Sequence, residues 1–323
     1  MPFSLRPGAV DVHAHWLPES LFGLPPGAPY SPLADRDGQL YIGDIPLSIE
    51  SRLMSDVDAI RADMQRTGIA ARVLSAPPFA FAREDHPEAS AYVGAFNAAL
   101  LSVVGGSDGA FAGFGCVSLG DVQAARRQME QLSLAEGIFG VALPPVMGDT
   151  SLDTGNLKRI LTLADELELA VLVHPMQLPG PAWSRHYLTN LIGNPVETAT
   201  AIASVLLGGT MERLPELRIC FVHGGGCAPD LLGRWDHAWS LRADVSADST
   251  RRPSETFRRL FFDTVTHDTD ALDLLRRKAP DDHIVLGSDY PFDMADTDAL
   301  THALERGLTK DGLSQATRLF LGL

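Results

Sequence analysis

Short apolar runs alternate with longer stretches of helical periodicity along the whole chain. Each short run is mostly apolar rather than alternating, which is typical of β-strands that are covered on both faces. The pattern predicts eight strands, over residues 9–12, 72–76, 111–119, 137–143, 169–173, 218–222, 260–263 and 283–286.

The intervals between these runs have the spacing of amphipathic helices. Apolar residues of the first interval lie four, three and four residues apart, at Leu53, Val57, Ile60 and Met64. Gly68 follows them, where a helix-terminating glycine is expected. Residues 157–167 repeat this spacing, and a further helix is predicted after an N-cap at Asp270.

Eight strands with helices between them predict a distorted (β/α)8 TIM barrel, a single domain over residues 1–323. The alternative is an open doubly wound sheet, but no G-x-G-x-x-G motif opens a helix after the first strand. Residues 17–50 depart from the alternation, with six prolines and four glycines. This segment is predicted to be an inserted flap after the first strand, too rich in proline for a long helix.

Composition and charge exclude several classes of partner. The 26 basic and 41 acidic side chains give a net charge of −15, so neither nucleic acid nor an anionic membrane is expected as a partner. No stretch approaches the ~18 apolar residues of a membrane span, and the first residues lack the apolar core of a signal peptide. Cys116, Cys220 and Cys227 are too few for a disulfide framework. We therefore expect a soluble protein of the reducing cytoplasm.

Residues of metal-binding type follow four of the predicted strands. The first strand leads into His13 and His15, the fifth into His174, the sixth into His223 and the eighth into Asp289. The carboxyl ends of barrel strands form one rim, where active sites are built. Alternate residues of a strand share a face, so His13 and His15 can point together into the barrel mouth. Imidazoles with one carboxylate suit Zn²⁺, with Mn²⁺ or Fe²⁺ as alternatives.

Each of these features also has a structural explanation when it stands alone. A histidine at a strand end is often hydrogen-bonded within the fold, glycines such as those at 224–226 suit a tight turn, and Asp289 can cap a helix. Their occurrence at four separate strand ends of one rim favours a shared metal site.

Four motifs add a family resemblance to this interpretation. The chain resembles the amidohydrolase superfamily in DVHAHWLP, VLVHP, FVHGGG and LGSDYPF, which occur in this order. The stretch RICFVHGGGCAPDLLGRWDHAW is especially similar to the branch that contains 2-amino-3-carboxymuconate-6-semialdehyde decarboxylase and the hydroxybenzoate decarboxylases. The resemblance runs from about Val10 to the end of the chain.

The resemblance implies a role for each residue of the rim. It assigns His13, His15, His174 and Asp289 to one divalent metal, usually zinc, and makes His223 the catalytic histidine beside the metal-bound water. Asp289 is then both a ligand and a proton relay. The segment GVALPPVMGD, around the end of the fourth strand, contains no lysine, which argues against a dinuclear centre with a carbamylated lysine. No organic cofactor is expected.

The activity that the resemblance implies is the non-oxidative decarboxylation of an unsaturated or aromatic carboxylic acid, a small-molecule substrate. A bound metal polarises a substrate oxygen, and a histidine can exchange a proton near neutral pH. Two alternatives stay open. A hydrolase or hydratase would use the same metal-bound water on an ester, lactone, amide or enol. A ligand-binding protein with a vestigial site is the other class.

Candidates for substrate binding lie close to the predicted strand ends and on the helix after the sixth strand. Arg234 matches an arginine that, in aminocarboxymuconate enzymes, reaches the neighbouring subunit's site, so the resemblance implies a homodimer. A surface ion pair is its structural alternative. Arg185 is a further candidate for binding an anion. Aromatic candidates for an apolar pocket wall, each equally suited to barrel packing, are Trp16, Phe79, Trp183, Tyr187 and Phe292.

Two positions depart from the aminocarboxymuconate pattern. The arginine of the flap falls at Ser48 here, and Met176 stands where those enzymes tend to have an aromatic residue. Serine lacks the bidentate carboxylate-binding fork of arginine. The substrate is therefore expected to carry one carboxylate fewer, or to bind it elsewhere, through Arg185.

Other histidines are interpreted as lying outside the site. His283 precedes the eighth strand and should lie at the opposite end of the barrel. Structural or surface positions are expected for His186, His237 and His267.

Overall fold

The computed structural model describes residues 3–22, 33–42, 44–82, 86–178, 180 and 182–323. The strands of these residues are numbered in chain order. They are β1 (Ala9–His15), β2 (Leu33–Arg36), β3 (Gln39–Ile42), β4 (Ile45–Glu50), β5 (Ile69–Ser75), β6 (Phe111–Gly115), β7 (Ile138–Leu143), β8 (Val146–Met147), β9 (Thr150–Ser151), β10 (Ala170–Val173), β11 (Ile219–Phe221), β12 (Phe261–Asp263) and β13 (Ile284–Val285).

Eight of these strands form one parallel sheet, in the order β1-β5-β6-β7-β10-β11-β12-β13. The two edges meet through backbone hydrogen bonds from Val12 to Leu286 (2.9 Å) and from His15 to Tyr290 (2.7 Å). The sheet is thus a nearly closed barrel. The TIM barrel predicted from the sequence is confirmed, and each of the eight predicted runs overlaps one strand of the sheet.

Helices connect successive barrel strands and cover the outside of the sheet. In chain order they are α1 (Ser51–Ser55), α2 (Val57–Thr67), α3 (Ala89–Gly105), α4 (Val122–Ser133), α5 (Gly155–Glu166), α6 (Asn194–Leu207), α7 (Thr210–Arg213), α8 (Ala228–Leu241), α9 (Pro253–Phe257), α10 (Thr269–Lys278), α11 (Ala299–Glu305) and α12 (Lys310–Leu321). Short 3₁₀ turns occur at Glu19–Leu21, Pro78–Ala80, His223–Gly225 and Asp281–His283, and a π-helical turn at Thr189–Gly193.

Small residues in β6 let the neighbouring helix approach the sheet. A Cβ atom at Gly115 would lie 2.5 Å from the side chain of Leu132 on α4. The strand ends here, earlier than the predicted 111–119, because the backbone N–H of Cys116 donates to the side chain of Asn97 (2.9 Å) instead of to a strand.

The first predicted helix is divided in two. Asp56 has extended backbone angles between α1 and α2, and its side chain accepts the backbone N–H of Asp58 as an N-cap. Leu53 therefore belongs to α1. Gly68 ends α2 in the left-handed conformation (φ 72°), as the sequence predicted.

The predicted N-cap at Asp270 is wrong by two residues. Asp268 caps α10 through a hydrogen bond from the backbone N–H of Ala271 (3.0 Å). Asp270 lies in the first turn, where its charge complements the positive end of the helix dipole.

The insertion after β1 is a small sheet beside the barrel. Strands β2, β3 and β4 pair in antiparallel order. Leu33, Leu40 and Ile49 are fully or almost fully buried and join the core. Among its described residues, 17–22, 33–42 and 44–50, the only helical piece is the turn Glu19–Leu21, which agrees with the prediction of a flap without a long helix.

The structure also bears on expectations about membranes and disulfides. Every helix in the described part of the chain is too short or too polar to cross a lipid bilayer. Cys116, Cys220 and Cys227 are free thiols, the first two of them buried.

Candidate metal centre

The four predicted metal ligands converge at the carboxyl-terminal rim of the barrel. His13 and His15 lie at the end of β1, His174 directly follows β10, and Asp289 follows β13. All four are buried, with at most 4 % of any residue exposed. One donor atom from each lies within 4.8 Å of the donor atoms of the other three.

The carboxylate of Asp289 is the centre of this cluster. Its Oδ1 atom lies 3.2 Å from Nε2 of His13, 3.1 Å from Nε2 of His15 and 3.6 Å from Nε2 of His174. His13 and His15 share a face of β1 because side chains alternate along a strand. The β-strand period and the barrel rim therefore account for the convergence.

The outer nitrogen of each imidazole has its own partner. Nδ1 of His174 lies 2.7 Å from the carbonyl oxygen of Pro175, and Nδ1 of His15 lies 3.3 Å from the carbonyl oxygen of Ala76. A carbonyl oxygen only accepts, so both Nδ1 atoms carry the hydrogen. In the neutral tautomer, Nε2 then presents its lone pair toward Asp289.

Burial and the neighbouring carboxylates give the imidazoles different pKa values. Burial lowers the pKa of His174 to about 3 and also lowers the pKa of His15. Burial opposes protonation of His13 as well, but the carboxylates of Asp289 and Asp263 raise its pKa to about 10. Burial raises the pKa of Asp289, but the charge and hydrogen bond of His13 outweigh this effect and hold the pKa well below its usual value. The metal-free cluster thus holds one imidazolium beside one carboxylate at neutral pH.

The donor atoms fit a divalent metal. Nε2 of His174 is buried and has no hydrogen-bond partner among the described residues. A buried polar atom without a partner costs roughly 1–3 kcal/mol. A lone pair that faces a carboxylate oxygen repels it unless a cation lies between them. Three imidazole nitrogens and one carboxylate form a donor set that suits Zn²⁺ or Mn²⁺.

Asp263, at the end of β12, holds His13 in place and is absent from the sequence-based set of site residues. Its Oδ2 lies 2.6 Å from Nδ1 of His13, and its Oδ1 accepts the backbone N–H of Gly224 (2.8 Å). A carboxylate bonded to a ligating histidine orients the ring and makes it more basic. The sequence does contain a signal for this residue, because the run LFFD places an acidic side chain at the carboxyl end of the seventh strand.

A buried ion pair anchors the two segments that carry ligands. Asp11 accepts the backbone N–H of His13 (3.1 Å) and both the backbone N–H (3.1 Å) and the hydroxyl (2.6 Å) of Ser288. Arg72 donates to Asp11 (2.9 Å) and to Asp63 (3.0 Å). Asp11 and Arg72 are register partners on β1 and β5. Neither residue was identified from the sequence, although opposite charges within two apolar runs were the available signal.

His223 lies beside the ligand cluster rather than within it. Its Nε2 is 3.3 Å from Oδ2 of Asp289, the carboxylate oxygen that does not face the other imidazoles, and its side chain is 17 % exposed. The residue sits in a 3₁₀ turn with a left-handed backbone (φ 56°). This arrangement suits proton exchange with a molecule bound next to the metal.

A cavity of about 210 Å³ opens onto His223 and Asp289. Its apolar wall is formed by Leu191, Pro195, Val265 and Met294. Its remaining polar lining is formed by Asn190, Asn194 and His267. Among the described residues that line it, none is lysine or arginine. A mixture of apolar walls and a few polar groups is typical of a small-molecule site.

The interpretation of His267 as a structural or surface residue is incomplete. It is exposed on the loop after β12, has a left-handed backbone (φ 56°) and lines the same cavity as His223. The predicted strands place this loop at the rim, but no motif in the sequence distinguishes His267 from a surface histidine. His283 stacks on Phe261 (4.4 Å between ring centroids) at the other end of β12 and β13, as expected.

The aromatic candidates lie in different places. Trp16 is 2 % exposed, and its indole N–H donates to the carbonyl oxygen of Ser55 (3.0 Å). It is not among the residues that line this cavity, and its role in substrate binding stays a prediction. Phe292 packs on His15 (4.9 Å between centroids) and contacts Phe79 (6.0 Å). These two rings flank the ligand cluster.

The remaining candidates lie on the loop after β10 or on α8. Trp183 packs over Gly193, where an added Cβ would lie 3.4 Å from the indole. Tyr187 is 44 % exposed. Arg185 and Arg234 are exposed, and no ion pair is formed by either within the described residues. The cavity lining of this chain includes none of these four side chains. Their roles in substrate binding stay predictions.

Comparison with known proteins agrees with this geometry. A family model described as amidohydrolase matches residues 10–318. The chain belongs to the amidohydrolase family. The resemblance found in the sequence motifs is therefore confirmed.

The chain's relatives in the amidohydrolase family include decarboxylases. It is 27% identical to 2-amino-3-carboxymuconate-6-semialdehyde decarboxylase of Dictyostelium discoideum, over 89% of this chain and 82% of that protein. Among solved structures, 5-carboxyvanillate decarboxylase from Sphingomonas paucimobilis is 20% identical, with a TM-score of 0.81 and coverage of 99% of this chain and 100% of that one. A dihydroxybenzoic acid decarboxylase from Polaromonas sp. JS666, with bound manganese and 2-nitroresorcinol, is 19% identical, with a TM-score of 0.76 and coverage of 98% and 97%.

Replacing Asp263 should weaken metal binding without changing a ligand. Asp263→Asn is expected to lower metal affinity about 10- to 100-fold, because the carboxylate no longer orients and polarises His13. Calorimetric titration of the metal-free protein with Mn²⁺ measures the change. Asp311→Asn, an exposed acid on α12, is the matched control and should bind Mn²⁺ normally. Equal affinity in the Asp263 variant would show that His13 needs no such partner.

Metal binding should release about one proton per metal at pH 7–8. The raised pKa of His13 keeps it protonated in the metal-free protein, whereas His15 and His174 are already neutral and Asp289 is already ionised. Affinity should therefore rise with pH below the pKa of His13 and level off above it. Titrations in buffers of different ionisation enthalpy count the protons. A heat independent of the buffer would contradict this assignment.

Proposed function

We propose that this chain is a metal-dependent, non-oxidative decarboxylase of an unsaturated or aromatic carboxylic acid. The His223–Asp289 pair is the observation that carries the proposal, since its 3.3 Å contact connects the ligand cluster to the cavity. A proton can pass from this pair to a molecule held against the cluster. The relatives named as decarboxylases support the same activity.

The residues of the site account for the steps of such a reaction. When bound, a divalent metal supplies positive charge that polarises a substrate oxygen. His223 would deliver a proton to the carbon that bears the carboxylate, while Asp289 orients the imidazole. Cleavage of the bond between that carbon and the carboxylate returns its electron pair to the conjugated system, and CO₂ leaves. One proton gained and one CO₂ lost balance the reaction without an oxidant or reductant.

Zinc is our proposal for the metal, with manganese as the alternative. Three imidazole nitrogens with one carboxylate are an ordinary zinc donor set, and the same set accepts manganese. Manganese is the metal in the Polaromonas decarboxylase. Plasma mass spectrometry of protein purified without added metal distinguishes the two.

We also propose that the chain acts as a homodimer in which Arg234 serves the site of the other subunit. Arg234 is exposed on α8, the helix that follows the His223 turn, and makes no ion pair within the described residues. The described residues that line the cavity offer no guanidinium for a substrate carboxylate. An arginine supplied across a two-fold axis would provide one.

Removing the His223 imidazole should separate turnover from metal binding. The wild-type protein is expected to release CO₂ from at least one member of a panel of hydroxybenzoates and unsaturated acids. His223→Ala should keep its metal and lose at least about 100-fold in kcat, because the proton donor is absent. His237→Ala, on the exposed side of α8, is the control.

Two outcomes of that experiment would change the account. Loss of metal from His223→Ala would make this residue a ligand. Metal without CO₂ from any acid, together with turnover of esters, lactones or enols, would replace the decarboxylase by a hydrolase or hydratase.

Mixing two inactive variants tests the role of Arg234 across subunits. A heterodimer of Arg234→Ala and His223→Ala subunits contains one site with both groups intact. Random reassociation should therefore restore about a quarter of wild-type activity. Arg127→Ala, an exposed arginine on α4, should be fully active and serves as the control. No recovery on mixing, or a monomer in sedimentation analysis, would contradict the proposal.

A further inference from the structure

Asn194 is a buried polar residue at the wall of the cavity beside His223. It is 6% exposed, and its Oδ1 has no hydrogen-bond partner among the described residues. It is the first residue of α6 and follows the π-helical turn Thr189–Gly193. Single π-helical turns occur frequently at functional sites.

The glycines after His223 hold Asn194 close to the catalytic histidine. Gly226 has a left-handed backbone (φ 60°), and a Cβ atom there would lie 2.5 Å from the carbonyl oxygen of Pro195. Only glycine allows this contact between the His223 turn and the start of α6. Asn194 and His223 consequently line the same cavity.

An unpartnered buried amide predicts a ligand that completes its hydrogen bonds. Burying a polar group without a partner costs free energy, and a ligand group that reaches the amide from the cavity would recover it. A rotation of 180° exchanges the amide oxygen and nitrogen, so Asn194 can offer the ligand either an acceptor or two donors. It recognises a neutral group best, because it carries no charge of its own.

The rest of the cavity points to a substrate with a single carboxylate. The described residues that line it supply two amides, two imidazoles and the Asp289 carboxylate, but no lysine or arginine. The carboxylate that is lost requires one cationic partner, and a second carboxylate would face none in this lining.

We propose that Asn194 determines substrate specificity by binding a neutral hydroxyl, amino or oxo substituent of a monocarboxylic acid. The inference rests on the proposed function for the identity of the ligand as an acid. It goes further in naming the residue that selects hydroxy-, amino- or oxo-substituted monocarboxylates over both unsubstituted acids and dicarboxylates.

Binding measurements test this without requiring turnover. Calorimetry on the metal-loaded protein is used with 2,6-dihydroxybenzoate, benzoate and 5-carboxyvanillate as probes. Wild type should bind 2,6-dihydroxybenzoate at least about tenfold more tightly than either other probe, as expected for one hydrogen bond to a buried group. Asn194→Leu, of similar size, should abolish the preference over benzoate. Asn156→Ala, an asparagine remote from the cavity on α5, should retain it.

Metal content and thermal unfolding confirm that each variant is folded. If Asn194→Leu does not fold, Asn194→Ala removes both the acceptor and the donor without adding bulk or charge, and should lose the same preference. An unchanged preference in either folded variant, or wild-type binding that does not favour 2,6-dihydroxybenzoate, would overturn the proposal. Tight and Asn194-dependent binding, together with no CO₂ release from any acid of the panel, would uphold this subsite while refuting the decarboxylase.

Discussion

The carboxylate of Asp289, buried among three imidazoles, is the interaction on which the rest of the structure depends. A charge in such a place is tolerated only when other charges and hydrogen bonds compensate its desolvation. In the metal-free protein His13 supplies that compensation as an imidazolium, and a bound divalent cation would supply more. The site is therefore arranged electrostatically for a cation before any substrate arrives.

Holding this cluster in place requires further buried charges. Asp263 fixes His13 from behind, and Asp11 ties the backbone of β1 to the segment that carries Asp289. Arg72 compensates Asp11 at the register position where β1 meets β5. Removing one member of such a network leaves another charge unpaired, which is more costly than the loss of a surface ion pair. The barrel seam between β1 and β13 is consequently both a structural closure and part of the metal site.

Much of the barrel and the ligand set could be predicted from the sequence, and the reason is periodicity. Strands covered on both faces leave apolar runs, and residues at their carboxyl ends must meet on one rim, so His13, His15, His174 and Asp289 could be grouped without a structure. Asp11 and Arg72 could not be recognised in the same way, because their meaning depends on strand register. Asn194 and His267 belong to no recognisable sequence motif or periodic pattern, and only the packing of loops brings them to one cavity.

Anomalous diffraction from crystals of the metal-loaded protein is the most direct test of the central claim. Data collected at the absorption edge of the bound metal should show one strong peak per chain. We expect this peak to lie among Nε2 of His13, His15 and His174 and a carboxylate oxygen of Asp289. A peak elsewhere in the molecule, or none after soaking with Zn²⁺ and Mn²⁺, would contradict it.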